Sequence, residues 1–315
     1  MTAQHGAAIK GTGGGVAHPD EVAAVHRRML AGASPQARYV EIVGGRRVHA
    51  IEAGDGKPLV LLHGSGPAAL LFLPLLERLR DVRAIAVDRP GFGLSDPIDR
   101  PLEAYRASAI DTVTRILDAL GVGKTALLGN STGGAWALWY ALTHPDRVTR
   151  LVLVGAAPLL PGTRVPPPML AVAAPPIGQP PNMPAPSRET VVRTMRVMGE
   201  ADTIVTYPDQ IDALVAAGSD LLASATGLGE LRAMICPTGW QPELAIRPEE
   251  LRQLTVPTLL IWGENDPLGG PDVARMTAAT IPHALLEVLS AGHAPWLGHP
   301  DRVATMVSDF VRRDP

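Results

Sequence analysis

A serine at position 131 lies at the junction between a strand-like and a helix-like segment. The six residues before it read TALLGN, and the residues after it begin TGGAW. Residues 129–133 therefore fit the G-x-S-x-G pattern of a nucleophile elbow, in which small residues leave room for a sharp, strained turn. The start of the following helix favours the negative charge that develops during attack on a carbonyl group. The pattern predicts that Ser131 is a nucleophile rather than an ordinary helix N-cap.

A serine hydroxyl needs a general base, and the later part of the chain offers one in a suitable place. His293 lies in the segment SAGHAP, directly after the last strand-like stretch, and Asp266 lies in GENDP, directly after the strand-like stretch before it. We expect His293 to take the proton of Ser131 and Asp266 to orient His293. Glu264 is the competing acid, and an aspartate before a proline is also a common turn residue.

Acyl transfer also requires donors for the developing oxyanion, and loss of one such donor costs about 3–4 kcal/mol of transition-state stabilisation. The first predicted donor is the backbone N–H of Thr132, which follows the nucleophile. The second predicted donor is the backbone N–H of Ser65, in the segment HGSGP that follows an apolar strand. We expect His63, in the same segment, to hold this loop in place rather than to take part in the reaction.

The elements around these residues alternate between strand and helix. Apolar strands are predicted within 57–64, 82–91, 124–130, 148–157, 256–266 and 284–295, and two alternating, half-buried antiparallel strands at 37–43 and 46–54. This rhythm predicts an α/β fold, with a mostly parallel sheet and helices on both faces. The carboxyl ends of parallel strands meet at one edge, where ligands bind. The predicted nucleophile, base and acid all follow such strand ends.

A proline-rich segment interrupts the rhythm after residue 157. We predict a cap domain at 158–250, inserted between two core segments at 36–157 and 251–315. An N-terminal extension at 1–35 is predicted to consist of a flexible tail at 1–18 and a short helix at 19–30. The proline-rich stretch is not expected to form a regular helix. Within the cap, helices are predicted at 188–201 and 208–225. Four cap methionines could roof an apolar pocket or form the core of the cap: Met169, Met183, Met195 and Met198.

The composition excludes several classes of protein. The net charge of −3 and pI near 6.3 provide no basic surface for nucleic acid or membrane, and Cys236 is the only cysteine. Residues 1–18 lack the apolar core of a secretory signal, and no apolar run reaches about 18 residues. The segments GTGGGV and GVGKT lack the glycine spacing of nucleotide-binding loops. We expect a cytoplasmic protein without metal or cofactor that acts on a small molecule, with homo-oligomerisation left open.

The combination of HGSGP, DRPGFGLSD, GNSTGG, GENDP and GHAPWLGHP resembles the α/β-hydrolase superfamily. The resemblance runs from Arg38 to the C-terminus, leaves the cap unmatched, and implies the α/β-hydrolase fold with a serine triad. HGSGP and GNSTGG also resemble the hydrolases that cleave carbon–carbon bonds of ring-fission products, a group in which an asparagine matches Asn130. That group has glycine where this chain has Ala68 and tryptophan where it has Ala294. Its cap arginine matches none of Arg188, Arg193, Arg196 and Arg232 uniquely.

The resemblance favours a cofactor-free serine hydrolase that cleaves an ester or a lactone of a mostly apolar small molecule through an acyl-enzyme. We assign Gly64, Asn130 and Trp296 to substrate binding. The first alternative is a carbon–carbon hydrolase acting on vinylogous diketones. The second, from another class, is a ligand-binding receptor on the same fold. Acyl transfer to an alcohol differs from hydrolysis only in the second nucleophile.

Overall fold

The computed structural model describes five segments of the chain, residues 20–42, 44–66, 68–99, 101–173 and 186–313. The tail predicted at 1–18 and the cap residue Met183 lie outside these segments. Ten strands are present in the described part of the chain: β1 (Gln36–Ile42), β2 (Arg46–Ala53), β3 (Lys57–Leu62), β4 (Val82–Val87), β5 (Thr125–Asn130), β6 (Val148–Val154), β7 (Ile235–Cys236), β8 (Gly239–Trp240), β9 (Thr258–Gly263) and β10 (Leu285–Leu289).

Eight of these strands form one sheet in the order β1-β2-β4-β3-β5-β6-β9-β10. β2 pairs antiparallel with β1 and β4, and every other neighbouring pair is parallel. β5 and β9 are buried along their whole length, as their continuous apolar sequences predict for central strands. The predicted α/β fold with a mostly parallel sheet is therefore confirmed, including the antiparallel hairpin at the start.

Helices cover both faces of the sheet and bury a separate apolar cluster on each. The described α-helices are α1 (Asp20–Leu30), α2 (Leu73–Leu76), α3 (Tyr105–Ala119), α4 (Thr132–Thr143), α5 (Pro167–Ala173), α6 (Arg188–Val197), α7 (Ala201–Ile204), α8 (Pro208–Ser219), α9 (Leu221–Met234), α10 (Pro248–Arg252), α11 (Pro271–Thr280), α12 (Pro295–Gly298) and α13 (Pro300–Arg312).

Helix α4 is buried on all sides over residues 132–141, more completely than an amphipathic helix would be. Its outer face is covered by α3, where the indole of Trp136 donates a hydrogen bond to the hydroxyl of Tyr105. Trp139 is fully buried on the same helix and lies edge-on to Tyr105. α4 is therefore fixed rigidly behind the residue that precedes it, Ser131.

The segment 158–250 is mainly helical where it is described, although two details differ from the sequence prediction. α5 begins inside the proline-rich stretch, because proline at the first positions of a helix has no N–H to leave unpaired. The helix predicted at 208–225 is two helices, since Asp220 ends α8 and its carboxylate caps α9 by accepting the N–H groups of Leu222 and Ala223. The division into extension, core and cap stays a prediction.

The described cap methionines lie in different surroundings. Met195 is buried in the apolar cluster, and Met169 packs against the cluster on the other face of the sheet. The carbonyl of Met198 accepts the backbone N–H of His293.

Among the described residues no single helix has the length and hydropathy to cross a membrane; α8 and α9 reach them only together, across an 83° bend.

Strand β9 ends against the loop that carries His293, and this contact needs a residue without a side chain. A Cβ on Gly263 would lie 1.8 Å from the carbonyl oxygen of Gly292 and 2.7 Å from that of Ala291. Both obstacles are backbone atoms, so a side chain at 263 has to displace the loop.

Gly263→Ala should lower the free energy of unfolding by about 1–3 kcal/mol, the usual cost of forcing an extra carbon into a packed site. It should also reduce activity, because the displaced loop carries His293. Gly123→Ala is the matched control, since no atom lies within 4 Å of a Cβ built there. Urea unfolding monitored by tryptophan fluorescence would test the difference, and equal stability of the two variants would contradict this packing argument.

Candidate active site

Ser131 occupies the turn between β5 and α4 with a backbone conformation that side chains rarely adopt. Its φ is 53° and its ψ is −127°. Such a conformation costs on the order of 1–3 kcal/mol and persists only where the surrounding structure enforces it. β5 on one side and the buried helix α4 on the other provide that enforcement. The turn directly follows β5 at the carboxyl edge of the sheet, the position in which the elbow motif holds a nucleophile.

His293 and Asp266 form the second part of the site. Nδ1 of His293 lies 2.8 Å from Oδ2 of Asp266, and both side chains are buried. The carboxylate is itself held, since Oδ2 accepts the N–H of Ala156 and Oδ1 that of Leu268. Because Nδ1 donates to Asp266, the neutral ring keeps a free lone pair on Nε2, the state that a general base requires. Glu264, the competing acid, is exposed.

Asn130 joins these two parts of the site. Its side-chain amide donates to the carbonyl of Val154 at 2.7 Å and to the carbonyl of His293 at 3.0 Å. The residue before the nucleophile thus holds the backbone of the predicted base. Within the described residues Ser131 Oγ makes no hydrogen bond to the imidazole, and such bonds often tighten only when substrate is bound. With both amide hydrogens occupied, Asn130 could contact a substrate only through Oδ1.

The HGSG loop, residues 63–66, lies directly against the predicted nucleophile. A Cβ on Gly64 would be 2.8 Å from Cβ of Ser131, so only glycine permits this approach. Thr132 is the first residue of α4, and its N–H has no acceptor within the helix. The hydroxyls of Ser65 and Thr132 are 3.0 Å apart. The two residues predicted to donate to the oxyanion are therefore neighbours beside Ser131.

A carboxylate from α9 reaches this loop, which the sequence did not predict. Glu230 accepts a hydrogen bond from Ser65 Oγ at 2.9 Å. It also forms a two-pronged ion pair with Arg89, at 2.7 and 3.0 Å, and both side chains are almost fully buried. Arg89 further donates to the carbonyl of His63 and lies over the ring of Trp136. The buried Arg89–Glu230 pair thus joins α9, in the predicted cap segment, to the HGSG loop.

His63 holds the loop, as predicted, through both ring nitrogens. Nε2 accepts the backbone N–H of Arg89 at 2.9 Å, so the ring proton is on Nδ1, which lies 2.6 Å from the carbonyl oxygen of Gly64. Burial and then the charge of Arg89 lower the pKa of His63 to about 4. The ring is therefore neutral at physiological pH and serves as a fixed spacer between two loops.

A second carboxylate that the sequence analysis missed, Glu200, contacts the His293 loop. Its Oε1 accepts the N–H of Ala294 at 2.8 Å, while Oε2 is buried without a hydrogen-bond partner. Burial raises the pKa of Glu200 to about 7, although the N–H of Ala294, the Thr203 side chain and the charge of His293 act in the opposite direction. Glu200 is thus able to change charge near neutral pH beside the predicted base.

The pKa of His293 reflects these neighbours. Burial alone would lower it, but the charge of Asp266, the hydrogen bond to it and the charge of Glu200 together raise the pKa above its ordinary value of 6.5. A histidine that acts as a base must be neutral, so a raised pKa moves the onset of activity to higher pH.

Trp296, assigned to substrate binding from the sequence, is fully buried on α12. Its indole N–H donates to the carbonyl of Leu71, and its ring lies 5.0 Å from that of Phe72. This environment favours a packing role behind the His293 loop.

No sequence signal identified Glu200 and Glu230, because a glutamate in a cap helix is normally a surface residue.

Comparison with known proteins places the chain among hydrolases. A sequence model described as alpha/beta hydrolase fold matches residues 57–300. A 2-hydroxy-6-oxononadienedioate/2-hydroxy-6-oxononatrienedioate hydrolase from Burkholderia vietnamiensis is 30% identical over 295 residues, covering 89% of this chain and 97% of the relative.

Two solved structures are similar over most of the chain. One is the carboxylesterase CesB (YbfK) from Bacillus subtilis, with a TM-score of 0.74 at 22% identity, covering 93% of this chain and 99% of that one. The other is a meta-cleavage product hydrolase (CumD) from Pseudomonas fluorescens IP01, with a TM-score of 0.67 at 27% identity, covering 87% and 96%.

Ser65→Ala should reduce kcat by roughly tenfold, equivalent to about 1.4 kcal/mol, with little change in KM. The substitution keeps the backbone N–H but removes the hydroxyl that links Thr132 to Glu230. Ser224→Ala, on the exposed side of α9, is the control. Steady-state kinetics on one chromogenic substrate would test this, and an unchanged kcat would show that the hydroxyl link does not position the loop.

Glu200→Gln should move the acid limb of the kcat/KM profile toward lower pH, because it removes a charge that raises the pKa of His293. The wild-type limb should lie above pH 6.5. Glu249→Gln, on an exposed helix, should leave the profile unchanged. An identical limb in wild type and Glu200→Gln would argue against coupling between Glu200 and His293.

The thermal stability of Glu200→Gln relative to that of the wild type should be greater at pH 8 than at pH 5. The pKa of folded Glu200 lies above the reference value of 4.5, so its contribution to stability is complete below that value and is lost as pH rises through about 7. Gln stays neutral throughout, and calorimetry at the two pH values would measure the difference.

Proposed function

The chain belongs to the alpha/beta hydrolase fold family, and from this premise we propose that it is a serine hydrolase that cleaves an ester or a lactone of a neutral, mostly apolar small molecule. The observation that carries the proposal is the buried His293–Asp266 pair, which Asn130 ties to the strained turn at Ser131. This is the constellation that turns a hydroxyl into a nucleophile.

In the proposed reaction, Ser131 Oγ attacks the substrate carbonyl while Nε2 of His293 accepts its proton. Asp266 stabilises the imidazolium that forms. The backbone N–H groups of Thr132 and Ser65 stabilise the oxyanion, and the protonated histidine then gives its proton to the leaving alkoxide. Water attacks the resulting acyl-enzyme by the same route in reverse, which releases the acid and restores Ser131.

The charges around the site favour a neutral substrate. Two carboxylates beyond Asp266 border it, Glu200 at the His293 loop and Glu230 at the HGSG loop. The buried guanidinium next to that loop, Arg89, is bound by Glu230 through both terminal nitrogens. Among these groups an anionic substrate would therefore find no free positive charge, and an uncompensated buried charge is costly.

A second candidate function is hydrolysis of a carbon–carbon bond in a ring-fission product. The observation that favours it is the relative from Burkholderia vietnamiensis, which is named as a hydrolase of a dienedioate and a trienedioate and aligns with 89% of this chain. The Ser131 turn and its partners would serve that chemistry equally well. Ala68 and Ala294, together with the two buried carboxylates, favour the ester or lactone substrate over this alternative.

A substrate panel tests the proposal directly: neutral aryl esters, a neutral lactone and a ring-fission dienoate. We expect kcat/KM for the best neutral substrate to exceed that for the dienoate by about 100-fold or more, since a few kcal/mol separate a compensated from an uncompensated charge. Preference for the dienoate would support the second candidate. Acylation without turnover of any substrate would instead indicate a ligand-binding protein.

Ser131→Ala should lower kcat by about 10⁴-fold or more while the protein stays folded. A fluorophosphonate should add covalently to Ser131 in the wild type, as measured by mass spectrometry of the intact protein and its peptides. The Ser224→Ala control should be labelled normally. Full activity of Ser131→Ala, or labelling at another residue, would refute the assignment of the nucleophile.

A further inference from the structure

Two histidines and an aspartate form a buried cluster outside the candidate active site. His26 comes from α1, His49 from β2, and Asp88 directly follows β4. All three are buried, and one nitrogen or oxygen atom from each lies within 4.8 Å of the others. His49 Nδ1 is 2.7 Å and His26 Nε2 is 3.6 Å from the same oxygen, Oδ2 of Asp88.

The orientation of His26 leaves a ligand atom unused. Its Nδ1 lies 2.9 Å from the carbonyl oxygen of Val22, one turn earlier in α1, so this nitrogen carries the ring proton and donates. In the neutral ring Nε2 then has only a lone pair, which faces a carboxylate oxygen. Nε2 is buried and has no hydrogen-bond partner among the described residues. Nε2 of His26 and Oδ2 of Asp88 are thus two electron-rich atoms that face each other in a buried site, and a positively charged group between them would stabilise this arrangement.

We propose that this cluster is a binding site for a divalent transition metal of the zinc class, with His26, His49 and Asp88 as its ligands. Imidazole nitrogen and carboxylate oxygen are ordinary zinc ligands, at about 2.0–2.2 Å. On binding, the His49–Asp88 hydrogen bond opens by a few tenths of an ångström. His49 then carries its ring proton on Nε2 instead of Nδ1, so that Nδ1 binds the ion and no net proton is lost from the neutral ring.

The groups behind these ligands match those around known metal sites. Histidines that bind metals usually donate the second ring N–H to a backbone carbonyl or carboxylate, as His26 does to Val22. The carboxylate of Asp88 is fixed by the backbone N–H groups of Ala69 and Leu94, at 2.7 and 3.0 Å. His49 is held through its own backbone, whose N–H donates to Ser95 Oγ. The ligands are therefore positioned before an ion arrives.

A cavity beside the cluster provides access and room for a further ligand. It has a volume of about 470 Å³, and both His26 and His49 contribute to its wall, together with Tyr39 and Leu94. Three protein ligands and a water molecule from this cavity would complete a four-coordinate ion. The cavity lies on the α1 side of the sheet and contains none of the residues assigned to the reaction.

The proposed role is structural. Within the described segments, the other polar links from α1 are exposed ion pairs of Arg28 with Asp209 and Asp212 on α8, and exposed pairs contribute little to stability. A metal bound by His26 would fix α1 to β2 and to the loop that begins at Asp88. Because binding to the folded state alone adds to stability, loading the site should raise the melting temperature.

The test uses the full chain, purified without a histidine tag and stripped with a chelator. Zinc sulfate titrated into it should bind at one site per chain and raise the melting temperature by several degrees, measured by calorimetry. His26→Gln should weaken binding by about 100-fold or more and abolish the thermal shift. His299→Gln, at a partly exposed histidine elsewhere in the chain, should bind zinc as the wild type does. Cobalt(II) absorption would report the same ligands spectroscopically.

Two results would overturn the proposal. Zinc binding that is unchanged in His26→Gln but lost in His293→Ala would place the ion at the catalytic histidine. No binding by the wild type at micromolar zinc would show that the three residues do not form a zinc site. If His26→Gln fails to fold, X-ray absorption at the zinc edge of the loaded wild type decides. Two imidazoles with oxygen ligands, in zinc-loaded His293→Ala as well, would support the site.

Discussion

The backbone conformation of Ser131 is the constraint on which the rest of the site depends. A positive φ at a serine costs on the order of 1–3 kcal/mol. Burial of one large apolar side chain contributes about 1.5–3 kcal/mol, and α4 buries Trp136, Leu138, Trp139 and Tyr140 completely. The packing of a single helix therefore outweighs the strain at its first turn. The hydroxyl is held at the sheet edge because the residues behind it cannot rearrange.

Charges around that turn are balanced by pairs whose members come from different parts of the chain. Asp266 and His293 come from loops after β9 and β10, whereas Arg89 follows β4 and Glu230 comes from α9. Removing one partner of a buried ion pair costs about 3–5 kcal/mol, so the pair resists separation. Glu230 also binds Ser65, and it thereby links the position of α9 to the loop that would stabilise an oxyanion. A displacement of α9 would therefore also displace that loop.

The sequence predicted what local chemistry determines. Strand-forming runs, the glycines around Ser131 and the turn residues near Asp266 and His293 are readable because each depends on its immediate neighbours. Glu200, Glu230 and the His26 cluster depend on contacts between residues that are far apart in sequence, and no spacing rule marks them. The break at Asp220 was readable, since an aspartate before an apolar helical run is a common N-cap. The sequence prediction nevertheless gave one helix, because the apolar periodicity continues across 208–225.

Asp88 and Arg89 show how one loop can serve two sites. Asp88 faces His26 and His49 on the α1 side, whereas Arg89 faces Glu230 and the HGSG loop on the other. The side chains of these two adjacent residues therefore make separate sets of contacts. The backbone N–H of Asp88 donates to the carbonyl of His49 at 3.0 Å, and that of Arg89 donates to Nε2 of His63 at 2.9 Å, so a shift of either residue moves the other. The N-terminal helix and the predicted cap therefore restrain the same short segment, and through it the loop beside Ser131.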